Sequence, residues 1–297
     1  MNSSPCSCKT ATEAVRDLDL SSQTILITGC ASGLGLETMR VLSGRGASIV
    51  ALARSKQAAE RALASVGARG TAVACDLSEP ASIRSAVARI LALDVKLDAI
   101  VASAGMMGGR TLVKSHGIEL QFQVNYLGHF ALIESLLGAL QDGRSRIVLV
   151  SSDAAVKQAP KEGIRFDDLS GDRSYSVFSF YGQSKLALAV YAGELSRRLA
   201  ARKIDVNAVH PGAVRGTALN RSLAFPLRVV LRVASLFMKS VEQGAATQTY
   251  LAANPAARGI TGKYWVDCQV ATGSAYFEDR ALAERLWKVS SRLVAQA

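Results

Sequence analysis

The 297-residue chain contains few cysteines, and they are scattered along the sequence. An odd number of dispersed cysteines argues against a disulfide framework and is typical of a reducing compartment. We therefore predict a cytoplasmic protein. The first two thiols form a lone C-x-C with no second ligand pair at zinc spacing, so no metal site is predicted. The five cysteines are Cys6, Cys8, Cys30, Cys75 and Cys268.

Long apolar runs and acidic residues are also scarce. No uninterrupted run of about 20 apolar residues occurs, so no transmembrane helix is predicted, although peripheral membrane contact stays open. The start of the chain lacks the charged and apolar regions of a signal peptide. Basic residues exceed acidic ones by 35 to 24. The basic residues are dispersed without interleaved aromatics, so we predict no nucleic-acid partner. We attribute the positive charge to solvated helix faces and to a basic rim for an anionic cofactor.

Histidine is rare, and its three positions give little support to a Ser-His-Asp hydrolase. His129 lies in an apolar helical context, which favours a packed structural role. His210 precedes Pro211-Gly212 at a predicted strand end, where it is expected to shape the loop. No G-x-S-x-G elbow is present.

Short apolar segments alternate with helical patterns along most of the chain. This alternation predicts an α/β fold, a single domain with a parallel sheet and helices on both faces. We assign residues 1–20 to a polar tail and 21–297 to the domain. Strands are predicted at 25–27, 48–53, 71–75, 97–102, 146–150, 205–209 and 264–266. Helices are predicted at 36–46, 55–66, 79–93, 112–141, 182–202, 218–238, 241–253 and 279–295.

Three glycines follow the first predicted strand and precede the first helix: Gly29, Gly33 and Gly35. Glycine permits a tight turn and lets backbone N–H groups approach a pyrophosphate, and the helix N-terminus adds partial positive charge. A structural turn is the alternative for any lone glycine triplet. The strand-turn-helix context favours a dinucleotide site, which would also include Ser32 and Leu34.

The ends of the second and third strands bear on the choice of cofactor. Arg54 occupies the position where an acidic residue would bind the ribose of NAD, and arginine can pair with the 2′-phosphate of NADP. A solvated arginine in a helix cap is the alternative. Asp76 and Leu77 end the third strand and are predicted to face the adenine ring.

Tyr181-Gly-Gln-Ser-Lys185 carries the clearest chemical signal. A tyrosine and a lysine four residues apart lie on one helix face. The lysine charge is expected to lower the pKa of the phenol from its ordinary value of about 10, giving a proton donor and acceptor usable near neutral pH. Ser152 ends the fifth predicted strand, where its hydroxyl can donate to a carbonyl oxygen.

Several independent motifs resemble those of the short-chain dehydrogenase/reductase family, from about residue 22 to 295. They are Thr28-Gly-x-x-x-Gly-x-Gly35, Val124-Asn-Tyr-Leu-Gly-His-Phe130, Val150-Ser-Ser152, Tyr181-x-x-x-Lys185 and Pro211-Gly212. The NADP-preferring branch of retinol dehydrogenases and related carbonyl reductases is similar in Ala53-Arg54-Ser55, Ile164-Arg-Phe-Asp-Asp-Leu169, His210-Pro-Gly-Ala-Val-Arg215 and Gly262-Lys-Tyr264. The resemblance implies a single-domain Rossmann-type fold, a doubly wound parallel sheet of about seven strands.

The resemblance also implies roles for particular residues. Tyr181 would be the general acid/base, Lys185 would hold the nicotinamide ribose, Ser152 would polarise the substrate carbonyl, and Asn125 would support a proton path. The remaining cofactor contacts would come from Ala104, Gly105, Pro211, Gly212, Val214 and Thr217.

Two departures from the family pattern affect these cofactor contacts. The usual Asn-Asn-Ala-Gly is replaced by Ala102-Ser103-Ala104-Gly105. The threonine expected after Pro-Gly is displaced by one position, to Thr217.

An apolar segment with regular arginines, residues 218–239, is predicted to form a substrate lid near 215–240. A lipophilic ketone, aldehyde or alcohol would suit it; an ordinary packed helix and a membrane contact are the alternatives. Four further side chains face either the substrate or the core: Met106, Met107, Phe178 and Phe180.

The predicted function is an NADPH-dependent oxidoreductase acting on a small-molecule carbonyl/alcohol pair. Two alternative functions are an inactive NADP-binding regulatory protein and a Rossmann-like methyltransferase. The intact Asn125, Ser152, Tyr181 and Lys185 argue against the first, because a sensor does not need them. Arg54, where a ribose-binding acid would be needed, argues against the second. Homo-oligomer formation stays open.

Overall fold

A computed structural model describes residues 8–215 and 238–297 of the chain. Within these residues the main sheet has eight strands in the order β3-β2-β1-β4-β7-β8-β9-β10. Its strands are β1 (Thr24–Thr28), β2 (Ser48–Ala53), β3 (Gly70–Ala74), β4 (Ala99–Ala102), β7 (Arg146–Val150), β8 (Asp205–His210), β9 (Tyr264–Val266) and β10 (Gln269–Val270). A separate antiparallel hairpin contains β5 (Lys114–Ser115) and β6 (Ile118–Glu119).

All pairings in the main sheet are parallel except that of β9 with β10. The strand order reverses at β1, whose neighbours are β2 on one side and β4 on the other. In open parallel sheets, ligands bind outside the carboxyl ends of the strands at such a reversal. The turns after β1 and β4 therefore frame the expected cleft.

Helices cover both faces of this sheet. They are α1 (Ala11–Ala14), α2 (Gly33–Ser43), α3 (Lys56–Ser65), α4 (Pro80–Leu91), α5 (Leu120–Phe122), α6 (Gly128–Leu136), α7 (Ala154–Lys157), α8 (Val177–Arg198), α9 (Val241–Gly244), α10 (Ala246–Ala253) and α11 (Arg280–Gln296). A π-helical turn, Gln123–Leu127, joins α5 to α6. Short 3₁₀ turns occupy Leu137–Ala139, Ala200–Arg202, Pro255–Ala257 and Ala275–Phe277.

Period-two alternation in the strands builds two apolar layers. Leu26 of β1 belongs to the layer beneath α4, α6, α8 and α11. Its neighbours Ile25 and Ile27 belong to the opposite layer, beneath α2 and α10. Successive side chains of a strand point to opposite faces, so a strand buried on both faces reads as a continuous apolar run. No helix in the described ranges is long and apolar enough to cross a bilayer.

The doubly wound parallel sheet predicted from the sequence is confirmed, and β2, β7 and β9 have the predicted bounds. The sheet has eight strands rather than about seven, because β10 is a two-residue exposed strand with no detectable pattern. The helix predicted over 112–141 is wrong in its first part, where the β5–β6 hairpin lies. His116 and Gly117 both have positive φ there, as a type I′ turn requires, but His-Gly is a weak turn signal. The helix predicted near 218–238 lies outside the described residues.

The prediction of a polar tail over residues 1–20 is wrong for its second half. Thr10 caps α1 by accepting a hydrogen bond from the Glu13 N–H, and Asn254 Nδ2 donates to the Ala14 carbonyl at 2.7 Å. Val15 and Leu20 are buried in the layer beneath α2 and α10. A four-residue helix is too short to show a helical period, so this packing leaves no pattern in the sequence.

The three cysteines of the core form no disulfide bond. Cys30, Cys75 and Cys268 are buried free thiols, and burial raises the pKa of Cys30 and of Cys268 to about 11 and that of Cys75 to about 12. Cys8 is disulfide-bonded. The residues that the structure describes hold no cluster of side chains able to bind a metal ion.

Candidate active site

The glycine loop between β1 and α2 has the shape of an anion cradle. Gly29 and Gly33 have φ of +67° and +56°, a left-handed region that side chains disfavour. A Cβ on Gly29 would lie 2.7 Å from Ala104 Cα, and one on Gly35 would lie 2.4 Å from the Gly29 carbonyl oxygen. A Cβ on Gly33 would meet no atom within 4 Å. Neighbouring atoms therefore crowd the loop at Gly29 and Gly35, whereas the space beside Gly33, at the N-terminus of α2, is open.

Ser32 and Leu34 flank the open side of this loop. Ser32 precedes α2, and its exposed side chain makes no capping hydrogen bond with the helix. A Cβ on Gly244 would lie 2.9 Å from Leu34 Cδ2 and 2.4 Å from Val214 Cγ2. Leu34 and Val214 thus pack together against α9, which joins the glycine loop to the segment after β8.

The ends of β2 and β3 lie next to this cradle in the sheet order. Arg54 directly follows β2 and is exposed, while its neighbour Ser55 caps α3. The Asp76 carboxylate accepts hydrogen bonds from the Ser78 N–H at 2.9 Å and from the Ser78 hydroxyl at 2.7 Å. Leu77 is buried, and its carbonyl accepts from Gln123 Nε2 at 3.3 Å.

Lys185 is buried at the carboxyl end of β7. Its ammonium donates to the Val150 carbonyl at 2.8 Å and lies 5.8 Å from the centroid of the Tyr181 ring. Burial lowers the pKa of Lys185 to about 8. A Cβ on Gly105 would lie 3.2 Å from Lys185 Nζ and 3.5 Å from Asn125 Oδ1, so the glycine leaves room for both groups.

Tyr181 and Ser152 meet beside Lys185. Burial is the main cause that raises the pKa of Tyr181 to about 12; a hydrogen bond with Ser152 partly opposes it, and the Asp153 charge adds to it. The prediction that the Lys185 charge gives this phenol a lowered pKa is wrong, because the pKa of Tyr181 is raised. The ammonium is engaged with the Val150 carbonyl and is itself desolvated. Ser152 Oγ also donates to Asp153 Oδ1 at 3.3 Å.

Asn125 lies in the π-helical turn and is fully buried. Its Oδ1 accepts from the Met106 N–H at 2.8 Å, and its Nδ2 donates to the Met106 carbonyl at 2.9 Å and to Ser184 Oγ at 3.0 Å. Ser184 Oγ in turn donates to the Tyr181 carbonyl at 2.8 Å. Sequence reasoning missed Ser184, although its position three residues after Tyr181 on one helix was a usable signal.

The loop after β8 is shaped by His210, as the sequence predicted. His210 Nδ1 accepts from the Asp153 N–H at 3.1 Å and from the Gly212 N–H at 3.4 Å. Gly212 has φ of +86°, and a Cβ there would lie within 2.9 Å of the Lys239 side chain. Pro211 is half-buried between them.

The two ends of the predicted lid meet at the carboxyl edge of β8. The Lys239 N–H donates to the Ala213 carbonyl at 2.8 Å, and the Arg215 N–H donates to the Lys239 carbonyl at 3.0 Å. Thr217 and most of the predicted lid lie outside the described residues. The lid therefore stays a prediction whose base alone is described.

The Ala102-Ser103-Ala104-Gly105 turn is held by groups that the sequence did not reveal. The Ala104 N–H donates to Thr28 Oγ1 at 3.0 Å. Gln248 is fully buried and its Nε2 donates to Thr38 Oγ1 at 2.6 Å, with longer bonds to the Leu34 carbonyl at 3.3 Å and Ser103 Oγ at 3.4 Å. Ser103 thus contacts α10, and no sequence signal pointed to Gln248.

Comparison with known proteins identifies this arrangement. The profile described as short chain dehydrogenase matches residues 23–164 and 169–225. The chain belongs to the short-chain dehydrogenase/reductase family. Short-chain dehydrogenase TIC 32 B, chloroplastic, of Brassica napus is 37% identical, over 97% of this chain and 93% of its own. Human retinol dehydrogenase 14 is 35% identical, over 92% and 86%.

Solved structures agree with this assignment. An uncharacterized protein of Mycobacterium paratuberculosis superposes with a TM-score of 0.74 at 27% identity, covering 95% of this chain and 97% of its own. A short chain dehydrogenase of Burkholderia cenocepacia in complex with NADP gives 0.66 at 25% identity, covering 83% and 96%. This short-chain dehydrogenase/reductase is therefore an oxidoreductase of the retinol dehydrogenase-like branch, from a family that acts on small molecules with nicotinamide cofactors.

Proposed function

We propose that this short-chain dehydrogenase/reductase uses NADPH to reduce the carbonyl group of a lipophilic small molecule. One observation carries the proposal: Ser152, Tyr181 and Lys185 meet beside Asn125 at the carboxyl edge of the sheet, next to the glycine cradle. The test is NADPH consumption against a panel of ketones, aldehydes, retinoids, steroids and polyketide-like carbonyls. Absence of turnover across the panel would favour the alternative, a cofactor-binding regulatory protein.

The residues present fit a nicotinamide dinucleotide. The open space above Gly33, the N-terminus of α2 and the exposed Ser32 suit a pyrophosphate. Lys185 has three N–H donors, and the Val150 carbonyl accepts from one of them, so others can reach ribose hydroxyls. When bound, the cofactor supplies hydride to a carbonyl carbon.

The side chains supply the proton and orient the carbonyl. With its pKa near 12, Tyr181 is a neutral phenol at physiological pH and can donate its proton to the carbonyl oxygen. The Ser152 hydroxyl lies beside the same phenol, and its one proton can be donated to that oxygen in place of Asp153. A protonated phenol suits reduction, whereas oxidation at neutral pH needs its pKa to fall. Lys185, with a pKa near 8, is mostly charged at pH 7.

Replacing Arg54 with alanine should weaken NADPH far more than NADH. The exposed guanidinium follows β2, where it can pair with a 2′-phosphate. Loss of one charge-assisted hydrogen bond corresponds to roughly 1.5–3 kcal/mol, or about 10- to 150-fold in affinity. Fluorescence titration of both cofactors measures this, with Arg89→Ala, exposed on α4, as the control of equal charge change. Equal losses for both cofactors would remove Arg54 as the phosphate ligand.

Phe178 supports an apolar substrate. It is 54% exposed and lies one turn before Tyr181 on α8, so the core role considered for it does not hold, whereas Phe180 is buried in the core. Phe178→Ser is expected to raise KM for bulky apolar carbonyls several-fold while leaving small ones unchanged. Leu91→Ser, which removes an exposed apolar side chain from α4, is the control. A uniform change for large and small substrates would contradict a substrate contact at Phe178.

Several features of the proposal rest on sequence alone. They are the substrate lid over 215–240, the cytoplasmic location, and Thr217 as a cofactor contact.

A further inference from the structure

A buried histidine connects the two ends of the cleft. His129, on the first turn of α6, has no exposed surface. Its Nε2 lies 2.9 Å from Thr28 Oγ1, at the end of β1 directly before the glycine loop. Its Nδ1 lies 2.9 Å from the main-chain carbonyl oxygen of Asn125 in the π-helical turn. The ring therefore connects the glycine loop, through Thr28, to the π-helical turn that contains Asn125.

The direction of every hydrogen bond in this chain of groups is fixed by chemistry. A carbonyl oxygen only accepts, so His129 Nδ1 must carry a proton and donate it to Asn125. An amide N–H only donates, so Thr28 Oγ1 accepts from Ala104 and is free to donate its own proton to His129 Nε2. A cationic ring would leave the Thr28 proton without its acceptor. Burial also lowers the pKa of His129 to about 4, which keeps the ring neutral.

We propose that His129 is a positioning residue, whose neutral Nδ1–H ring sets the glycine loop through Thr28 and the π-helical turn through Asn125. The first link bears on the cradle, because the Ala104 main chain held by Thr28 packs directly beneath Gly29. The second link bears on Asn125, which fixes the Met106 main chain and joins α8 through Ser184. The effect on turnover rests on the proposed reductase function.

Two substitutions separate these links. The amide of His129→Asn reaches the Nδ1 position and can still donate to the Asn125 carbonyl, but it loses the contact with Thr28. The longer His129→Gln can accept from Thr28 through its side-chain oxygen, but it loses the donor to Asn125. We expect His129→Asn to weaken NADPH about 10-fold with kcat within about 3-fold of wild type. We expect His129→Gln to lower kcat about 10-fold with NADPH affinity nearly unchanged.

Thr28→Val removes the contact with His129 from the other side. Like His129→Asn, it should weaken NADPH binding while leaving kcat within about 3-fold of wild type. A histidine needed only for packing would give losses of affinity and kcat in the same proportion in both histidine variants. That outcome, or no loss in either variant, would overturn the proposal. A His129 variant that fails to fold leaves Thr28→Val to decide, because a change in kcat rather than in NADPH affinity contradicts the assignment.

Nitrogen-15 NMR of the histidine-labelled, cofactor-free protein tests the geometry without turnover. The chain has three histidines, so the ring signals are few. His129 should show a protonated Nδ1 and an unprotonated Nε2 and should not titrate between pH 5 and 9. The opposite tautomer, or titration near pH 6.5, would overturn the proposal. A wild-type protein with the expected tautomer and no carbonyl turnover would instead refute the proposed reductase function.

Discussion

Replacing Tyr181 with phenylalanine is expected to leave NADPH affinity nearly unchanged while lowering kcat by at least about 10²-fold and up to about 10⁴-fold. The substitution keeps the ring and its packing on α8 and deletes the oxygen that bonds Ser152. The phenol is the group placed to deliver a proton to the carbonyl oxygen. Fluorescence titration of NADPH and steady-state rates on any accepted carbonyl measure the two quantities.

Tyr250→Phe is the matched control, because it deletes a phenol on α10 whose ring packs against Trp265. It should behave as wild type in both assays. A Tyr181→Phe enzyme that keeps more than about a tenth of wild-type kcat would exclude Tyr181 as the general acid. Equal losses in NADPH affinity and kcat would indicate a packing role instead.

The sheet was predictable because its signal is local and repeated. Each buried strand is a short apolar run, and the glycine loop follows the first of them. The turn is needed by the packing itself, since a side chain on Gly29 would strike Ala104. The elements that the sequence missed are short or marked by weak turn signals. Helix α1, the β5–β6 hairpin and β10 have four residues or fewer per element, too few for a helical or strand period to appear.

The support of the candidate site was less predictable than its side chains. Tyr181, Lys185 and Ser152 stand in motifs whose residue types suggest chemistry. By contrast, Gln248 reaches Thr38 and Ser103 from a helix more than 140 residues away along the chain, and one sequence does not reveal such pairs. The same limit explains the wrong pKa direction for Tyr181. Helical spacing places Lys185 on the right face, but the Val150 carbonyl that engages it and the burial that outweighs its charge arise only in the folded protein.

Replacing Lys185 with methionine is expected to abolish most activity without destabilising the fold at neutral pH. The ammonium lies 5.8 Å from the centroid of the Tyr181 ring and can hold the ribose, so kcat should fall at least about 100-fold and NADPH affinity about 10- to 150-fold. Burial of the charge is costly, because a pKa lowered from 10.5 to about 8 corresponds to about 3 kcal/mol of unfavourable free energy. Loss of the bond to the Val150 carbonyl costs about 1–3 kcal/mol, which roughly offsets the gain.

The pH dependence of stability separates these two opposing effects. Below about pH 8 the folded wild type carries the full cost of the buried charge, because the lysine is protonated in both the folded and unfolded states. Between about pH 8 and 10.5 the unfolded state binds more protons than the folded state, so wild-type stability rises with pH. Urea unfolding should therefore show the stability of wild type relative to Lys185→Met increasing by about 3 kcal/mol from pH 7 to 10.5. Lys288→Met, exposed on α11, is the control and should show no such trend. A stability difference that is constant with pH would mean that Lys185 carries no buried charge in the folded protein.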